Sequence, residues 1–517
     1  MAFLVLWTIA FIGLIGYLTR RYVLAAKKRL PPGPKPLPVV GNIRDVPPPG
    51  VPEFQYWLNH KDLYGPISSV TSLGTTLVII HDKAVAHDLL DRSSSITSGR
   101  PSMTFANKMC GYESIVVCQG YTSTFRRYRK LLHQELGTRK LAAQLQDAFE
   151  IEVNRQLVKM LEDPDRWLEH FKTSAGATTL KLTYDYTIKR DEPDPLVELV
   201  DRMMTEFSLA AAPFTWAVDF IPALQYLPEW FPGTSFKKTA RKWKSSIHTV
   251  ADTPYRSVQR QMESGKTPSS YVSRLIESCK PEDGGPLDIE DERAIMWSAA
   301  SLYGAAADTT IISLTAFMLA MVLFPEVQLK AQREIDSVVG TRRLPGFEDR
   351  EGLPYIDALV KETIRWWPVA PMGFPHTVGK EISYNGLCIP QGALLLPAVW
   401  WFLHDPEVYL DPGTFDPGRF LAPRNEPDPS SEAFGYGRRI CPGRFLADSN
   451  LYLNIVQTLA IFNIEKAINE HGTELKYTVA PRPGILSYPT DFKIRVTPRS
   501  DEHVKLVEAL KKKQSSG

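Results

Sequence analysis

Phe434-Gly435-Tyr436-Gly437-Arg438-Arg439-Ile440-Cys441-Pro442-Gly443 puts one cysteine on a glycine-rich loop, with an arginine two residues before it and Pro-Gly directly after. Beyond Gly443 the text turns helical, through Arg444-Phe445-Leu446-Ala447-Asp448 and further apolar positions to Phe462. A thiolate at the mouth of a helix is stabilised by the helix dipole and by unsatisfied backbone N–H groups. The glycines let the backbone pass close to something flat and bulky. An arbitrary cysteine is most often a small buried core residue. This one stands where a metal-ligating thiolate is at home.

Phe434, Gly437, Arg439, Cys441 and Gly443 together fit the pattern Phe-x-x-Gly-x-Arg-x-Cys-x-Gly. The stretch resembles the haem-binding loop of the cytochrome P450 family at every fixed position. The resemblance implies haem b, with Cys441 as its axial thiolate and only metal ligand, a donor that favours O–O cleavage. It makes Phe434, Gly437, Arg439 and Gly443 part of the haem cradle.

Composition sets the frame. The chain has 517 residues, 44% hydrophobic and 23% charged, ordinary for a globular protein. A net charge of +2 gives no reason to expect nucleic acid. Five cysteines (Cys110, Cys118, Cys279, Cys388, Cys441) form no Cys-x-x-Cys pair and no even disulfide framework, which suits a reducing, cytosol-facing location.

Ala2 to Thr19 is almost wholly apolar and uncharged, and Arg20-Arg21 and Lys27-Lys28-Arg29 follow. A run of about 18 residues spans about 27 Å as a helix, close to the hydrocarbon thickness of a bilayer. The basic cluster keeps the chain after it on the cytoplasmic side. A cleaved signal peptide fits worse, because no basic residue precedes the apolar run. The expectation is a transmembrane anchor over 1–19, a basic and proline-rich hinge over 20–38, one catalytic domain over 39–500 and a polar tail over 501–517. Pro31-Pro32-Gly33-Pro34-Lys35-Pro36-Leu37-Pro38 reads as a stiff, extended spacer, similar to the hinge of membrane-bound P450s. The implied location is the endoplasmic reticulum membrane, single-pass, with the catalytic domain in the cytosol.

Apolar spacing predicts helices over Lys140–Glu162, Leu196–Leu209, Asp288–Phe324 and Pro354–Trp366. Strand text is confined to Ile67–Ser72, Leu77–Ile80, a hairpin over Ile382–Ile389 with an Asn-Gly turn, and a late group over Lys476–Val496. The fold class is therefore mainly α with small β-sheets, which the resemblance refines to the P450 fold, a single haem-thiolate domain behind an N-terminal transmembrane helix.

Asp288 would cap the longest helix and Pro325 would stop it. Its middle, Gly304-Ala305-Ala306-Ala307-Asp308-Thr309-Thr310, places small residues and one acid in an apolar run. A buried acid there is costly unless something uses it. The string resembles the family motif Ala/Gly-Gly-x-Asp/Glu-Thr-Thr, which makes Asp308 and Thr309 the catalytic pair: Thr309 bonds dioxygen at the iron and Asp308 helps deliver protons. Splitting O–O heterolytically needs two protons brought to one oxygen. Ala306 replaces the usual glycine.

Glu362-Thr363-Ile364-Arg365 puts a carboxylate and a guanidinium on one helix face. It resembles the family's Glu-x-x-Arg pair, and Phe415-Asp416-Pro417-Gly418-Arg419-Phe420 supplies Arg419 as the third member of that network. Phe125-Arg126-Arg127-Tyr128-Arg129-Lys130 resembles the family's Trp-x-x-x-Arg helix, giving Arg129 to a haem propionate, though Phe125 lacks the indole N–H. His376 and Arg439 stand where the family often places further propionate partners. Phe207, Phe214, Val369, Met372, Ile485 and Leu486 fall in segments that line P450 pockets, and Phe214 to Pro232 reads as an access lid.

The resemblance is strongest to fungal secondary-metabolism enzymes. It implies a monooxygenase that hydroxylates or epoxidises a lipophilic small molecule with dioxygen and electrons from NADPH. No flavin domain is visible in the text, so an NADPH-cytochrome P450 reductase is the implied partner, with cytochrome b5 as a second donor. Two alternatives stay open at this point: a P450-fold isomerase or dehydratase that does not use dioxygen, and a haem-binding protein without turnover.

Overall fold

The structure is a computed structural model that describes residues 29–516 apart from 39, 49, 190–193, 213–214, 267–268 and 282–284. The expected anchor over 1–19 lies outside the described residues. Two compact units emerge: one of residues up to Pro101 with Met372–Phe402 and Tyr436–Arg439, the other of Ser102–Pro371, Leu403–Gly435 and Ile440 onward.

The first unit is built on a four-stranded sheet. β1 (Ile67–Ser72) and β2 (Thr75–Ile80) form a hairpin whose turn puts Leu73 and Gly74 at positive φ. Downstream come β3 (His376–Thr377), β4 (Ile382–Tyr384), β5 (Leu387–Ile389) and β6 (Leu394–Pro397). The sheet order is β1-β2-β6-β3, with β6 parallel to β2. β4 and β5 make the expected separate hairpin, and Asn385 and Gly386 both take the positive φ that such a two-residue turn requires.

The proline-rich segment does more than space. The Ser69 N–H donates to the Pro32 carbonyl at 2.8 Å and the Ser69 hydroxyl to Pro31 at 2.7 Å. Gly33 is needed for that approach, since a Cβ there would sit 1.9 Å from the Ser69 carbonyl oxygen.

The second unit is helical. After α1 (Glu53–Tyr64) of the first unit, it contributes α2 (Ser123–Leu136), α3 (Gln146–Glu162), α4 (Trp167–Tyr184), α5 (Pro195–Ala210), α6 (Ser235–Glu263), α7 (Tyr271–Cys279), α8 (Ile289–Leu323), α9 (Pro325–Val338), α10 (Pro354–Trp366), α11 (Arg444–Ile461) and α12 (Asp501–Ser516). α8 begins at the Asp288 cap, whose side chain accepts from Glu290 N–H at 3.1 Å, and ends one residue short of the Pro325 start of α9. It is long and apolar enough to cross a membrane, yet it is mostly buried, as the core helix of a folded domain is. Tyr303 donates to the Leu196 carbonyl at 2.6 Å and Tyr271 to Ser298 at 2.8 Å, tying α8 to α5 and α7.

Three elements differ from expectation. The helix predicted over Lys140–Glu162 is two pieces, Arg139–Ala143 and α3, because Leu145 leaves helical geometry. The late strand group contracts to β8 (Ile494–Pro498), which pairs with β7 (Phe462–Lys466) directly after α11. Pro481, Pro483 and Pro489 remove ladder donors from the stretch before β8. The polar tail is helix α12, with His503 and Val507 buried.

Candidate functional site

The Cys441 loop is held from several sides. In the second unit the Cys441 N–H donates to the Phe434 carbonyl at 2.8 Å, which closes the loop on itself. α11 starts at Arg444, so Cys441 stands three residues ahead of its first turn. Burial pushes the Cys441 thiol up, while the Gly443 N–H and the Arg129 and Arg444 guanidiniums pull it back. These are the donors and charges that favour a thiolate. Gly443 has an ordinary φ of −91° and open space where a Cβ would go, so the chain itself does not demand glycine there. A flat group passing close would.

Arg129 projects from α2, a helix capped by the Thr122 hydroxyl on the Phe125 N–H. Its guanidinium donates to the Ile440 carbonyl at 2.7 Å. Burial weakens its charge and the Cys441 sulfur supports it. Phe125 is buried and packs against Tyr121, with ring centroids 5.9 Å apart.

In the first unit Gly437 has φ +51°, and a Cβ there would fall 2.4 Å from the Leu90 carbonyl oxygen, so this glycine is dictated by the fold. Arg439 donates through Nε to the Ser98 carbonyl at 2.8 Å. His376 bonds the Thr97 carbonyl through Nδ1 at 2.9 Å, which makes Nδ1 the protonated nitrogen. Burial, with Arg100 and Arg439 nearby, pushes the imidazole well below its ordinary range.

Arg100 was missed by sequence reasoning. It donates to the Phe374 and Pro375 carbonyls at 2.8 and 2.7 Å and belongs with His376 and Arg439. Only its neighbour Pro101, a turn signal, hinted at a constrained position. Within the second unit the thiol beside the Arg129 and Arg444 guanidiniums fits a haem ligand, and within the first Arg100 and Arg439 are guanidiniums of the kind carboxylates need.

Asp308 and Thr309 lie on α8, which runs without a break through Ala306. The Thr309 and Thr310 hydroxyls back-bond to the Ala305 and Ala306 carbonyls, each at 2.9 Å. Ala305 is exposed and Ser301 and Thr309 partly so, which makes one open face in the middle of an otherwise buried helix. Asp308, three residues after Ala305, flanks that face and is buried.

Glu362, Arg365 and Arg419 meet in the second unit. Arg365 meets Glu362 through two bonds, at 2.7 and 2.8 Å, and Arg419 meets it at 3.0 Å. All three are fully buried. Arg365 also donates to the Leu403 carbonyl and Arg419 to the Leu410 carbonyl, each at 2.9 Å.

Of the expected pocket residues, Phe207 packs on Tyr112 with centroids 5.1 Å apart, and Met372 and Leu486 are buried. Val369 and Ile485 are partly buried. Phe214 lies outside the described residues. In the stretch expected to act as a lid, Ile221, Tyr226, Trp230 and Phe231 are exposed.

The family model described as Cytochrome P450 matches residues 31–489. The chain is 48% identical to Cytochrome P450 monooxygenase CLM2 of Gibberella zeae, over 94% of this chain and 93% of that one. It is 45% identical to Multifunctional cytochrome P450 monooxygenase af510 of Aspergillus fumigatus, over 98% and 94% respectively. It is 36% identical to O-methylsterigmatocystin oxidoreductase of Aspergillus flavus, over 93% and 90%. With the thiol loop, the buried Glu362 network and these likenesses together, the chain belongs to the cytochrome P450 family and is a P450 monooxygenase.

Proposed function

We propose that this protein is a haem-thiolate monooxygenase of fungal secondary-metabolite biosynthesis that hydroxylates or epoxidises a lipophilic small molecule. Electrons come from NADPH through a partner reductase, with cytochrome b5 as a second donor. The enzyme sits on the endoplasmic reticulum membrane through residues 1–19, its catalytic part in the cytosol. The observation that carries the reading is the Cys441 thiol ahead of α11, with Gly443 N–H, Arg129 and Arg444 around it.

Haem bound at Cys441 supplies reductive cleavage of dioxygen, which thiolate donation promotes. The protein's own residues do the rest. Arg129 braces the carbonyl next to the ligand and keeps a guanidinium for a propionate. Arg439 and Arg100 serve as carboxylate partners, and His376 holds the Thr97 carbonyl beside them. Phe434, Gly437 and Gly443 shape the cradle. Thr309 presents its hydroxyl on the open face of α8, and Asp308 holds a proton that it gives up and regains from solvent. Glu362, Arg365 and Arg419 fix the second unit's scaffold. Phe207, Phe214, Val369, Met372, Ile485 and Leu486 exclude water and select an apolar substrate.

The test is turnover with NADPH, reductase and isotopically labelled dioxygen over a panel of lipophilic polyketides and terpenoids. One labelled atom in the product, lost in favour of peroxide on Thr309→Ala, is the expected result. Conversion that proceeds without dioxygen or NADPH would overturn it in favour of an isomerase or dehydratase.

A further inference from the structure

Asp308 meets a partner from the far end of the chain. The Tyr488 hydroxyl donates to Asp308 Oδ1, across 180 positions of sequence. Its neighbour Ser487 fixes the approach: the Ser487 N–H donates to the Val369 carbonyl at 2.8 Å, and the Ser487 carbonyl accepts the Trp367 indole N–H at 2.6 Å. Ser487 and Trp367 are both buried. These two bonds anchor the backbone from which the Tyr488 side chain reaches the acid.

Other charges reach the pair from packed elements. Asp201 on α5 and Lys172 on α4, paired at 3.3 Å, act on Asp308, and Arg482 acts on Tyr488. Burial pushes the Asp308 carboxyl up, the Tyr488 hydroxyl pulls it back, Asp201 pushes it further and Lys172 opposes. Burial and Asp308 push the Tyr488 phenol far above its ordinary range, so Tyr488 stays a donor. The threonine hydroxyls next to Asp308 are engaged with α8 carbonyls, which leaves Tyr488 as its hydroxyl partner.

We propose that Tyr488 is the positioning residue for proton delivery: it holds the Asp308 carboxyl group in place and links that acid to the 484–488 loop. Tyr488 keeps its own proton. The proton that moves is the carboxyl proton of Asp308, replaced from solvent. Ile485 and Leu486, assigned above to the substrate side, share this loop, so a substrate pressing on them shifts Tyr488 and with it the acid. This rests on Asp308 being the proton-delivering group of the monooxygenase.

The experiment compares the haem-loaded full chain with its Tyr488→Phe variant, which lacks a single oxygen atom. Infrared pH-difference spectra give the Asp308 carboxyl band, identified by its loss in Asp308→Asn. Removing the donor takes away support for the carboxylate, so the band titrates at higher pH in Tyr488→Phe. In turnover with reductase, KM stays within about twofold while the share of NADPH ending as peroxide rises several-fold, and the pH midpoint of coupling moves the same way. A Tyr488→His variant, which keeps a ring N–H, restores part of both shifts and serves if the phenylalanine form does not fold. An unmoved carboxyl titration with unmoved coupling overturns the proposal. Absence of NADPH-dependent oxygen insertion in the parent would instead sink the monooxygenase reading, and the infrared comparison would still decide the Tyr488 contact.

Discussion

The Arg129 guanidinium donates to the carbonyl of Ile440, the residue immediately before Cys441, at 2.7 Å. One side chain thus braces the loop mechanically and sets positive charge beside the sulfur. Arg129→Ala is expected to weaken both functions. The thiolate protonates as pH falls, and without the guanidinium its titration moves upward. The carbon-monoxide complex of the variant should therefore convert from thiolate to thiol ligation at higher pH than the parent, and the purified protein should retain less haem. An unchanged conversion pH would mean that Arg129 acts only as a brace.

The Glu362 network makes a prediction about stability. Burial pushes this carboxyl up, and Arg365, Arg419 and the Asp416 N–H oppose it. Glu362→Gln takes the carboxylate partner from the fully buried Arg365 and one of two from Arg419, which keeps Glu426 at 2.7 Å, a defect of about 3–5 kcal/mol. The exposed Arg241–Glu229 pair at 2.9 Å is the control, since breaking it is expected to change stability by less than ~1 kcal/mol. Urea unfolding of the two variants checks the contrast.

His81 supplies a pH dependence. Burial, with His60 and Lys61 nearby, pushes this buried imidazole down to about 4. Unfolded, it titrates near ~6.5, so between those values the unfolded chain binds more protons and stability falls as pH drops. The parent should lose up to ~1.4 kcal/mol more per unit of pH than His81→Phe over this window. Urea midpoints at successive pH values measure it, and parallel slopes would contradict it.

Much of this was legible because the decisive residues are contiguous or fall at helical spacing. Cys441 and its four companions lie within ten residues, and Glu362 and Arg365 are three apart on one helix. The Asp288 cap, the Pro325 stop and the Asn385-Gly386 turn are local chemistry that tertiary structure left alone. What escaped was non-local. Arg100 gains meaning only from two carbonyls more than 270 positions away, and Tyr488 only from Asp308. β3 and β6 are too short for alternation to show, and β7 follows α11 with no turn residue between them. The 476–493 stretch has strand-like composition, but its prolines deny it a ladder.

Thiolate ligation by Cys441 is tested by the absorption spectrum of the purified, reduced, carbon-monoxide-bound protein beside Cys441→His. A Soret band at the wavelength from which the family takes its name is expected in the parent and is lost in the variant. A parent band at the shorter wavelength of thiol- or imidazole-ligated haem, in protein shown to be folded, would contradict it.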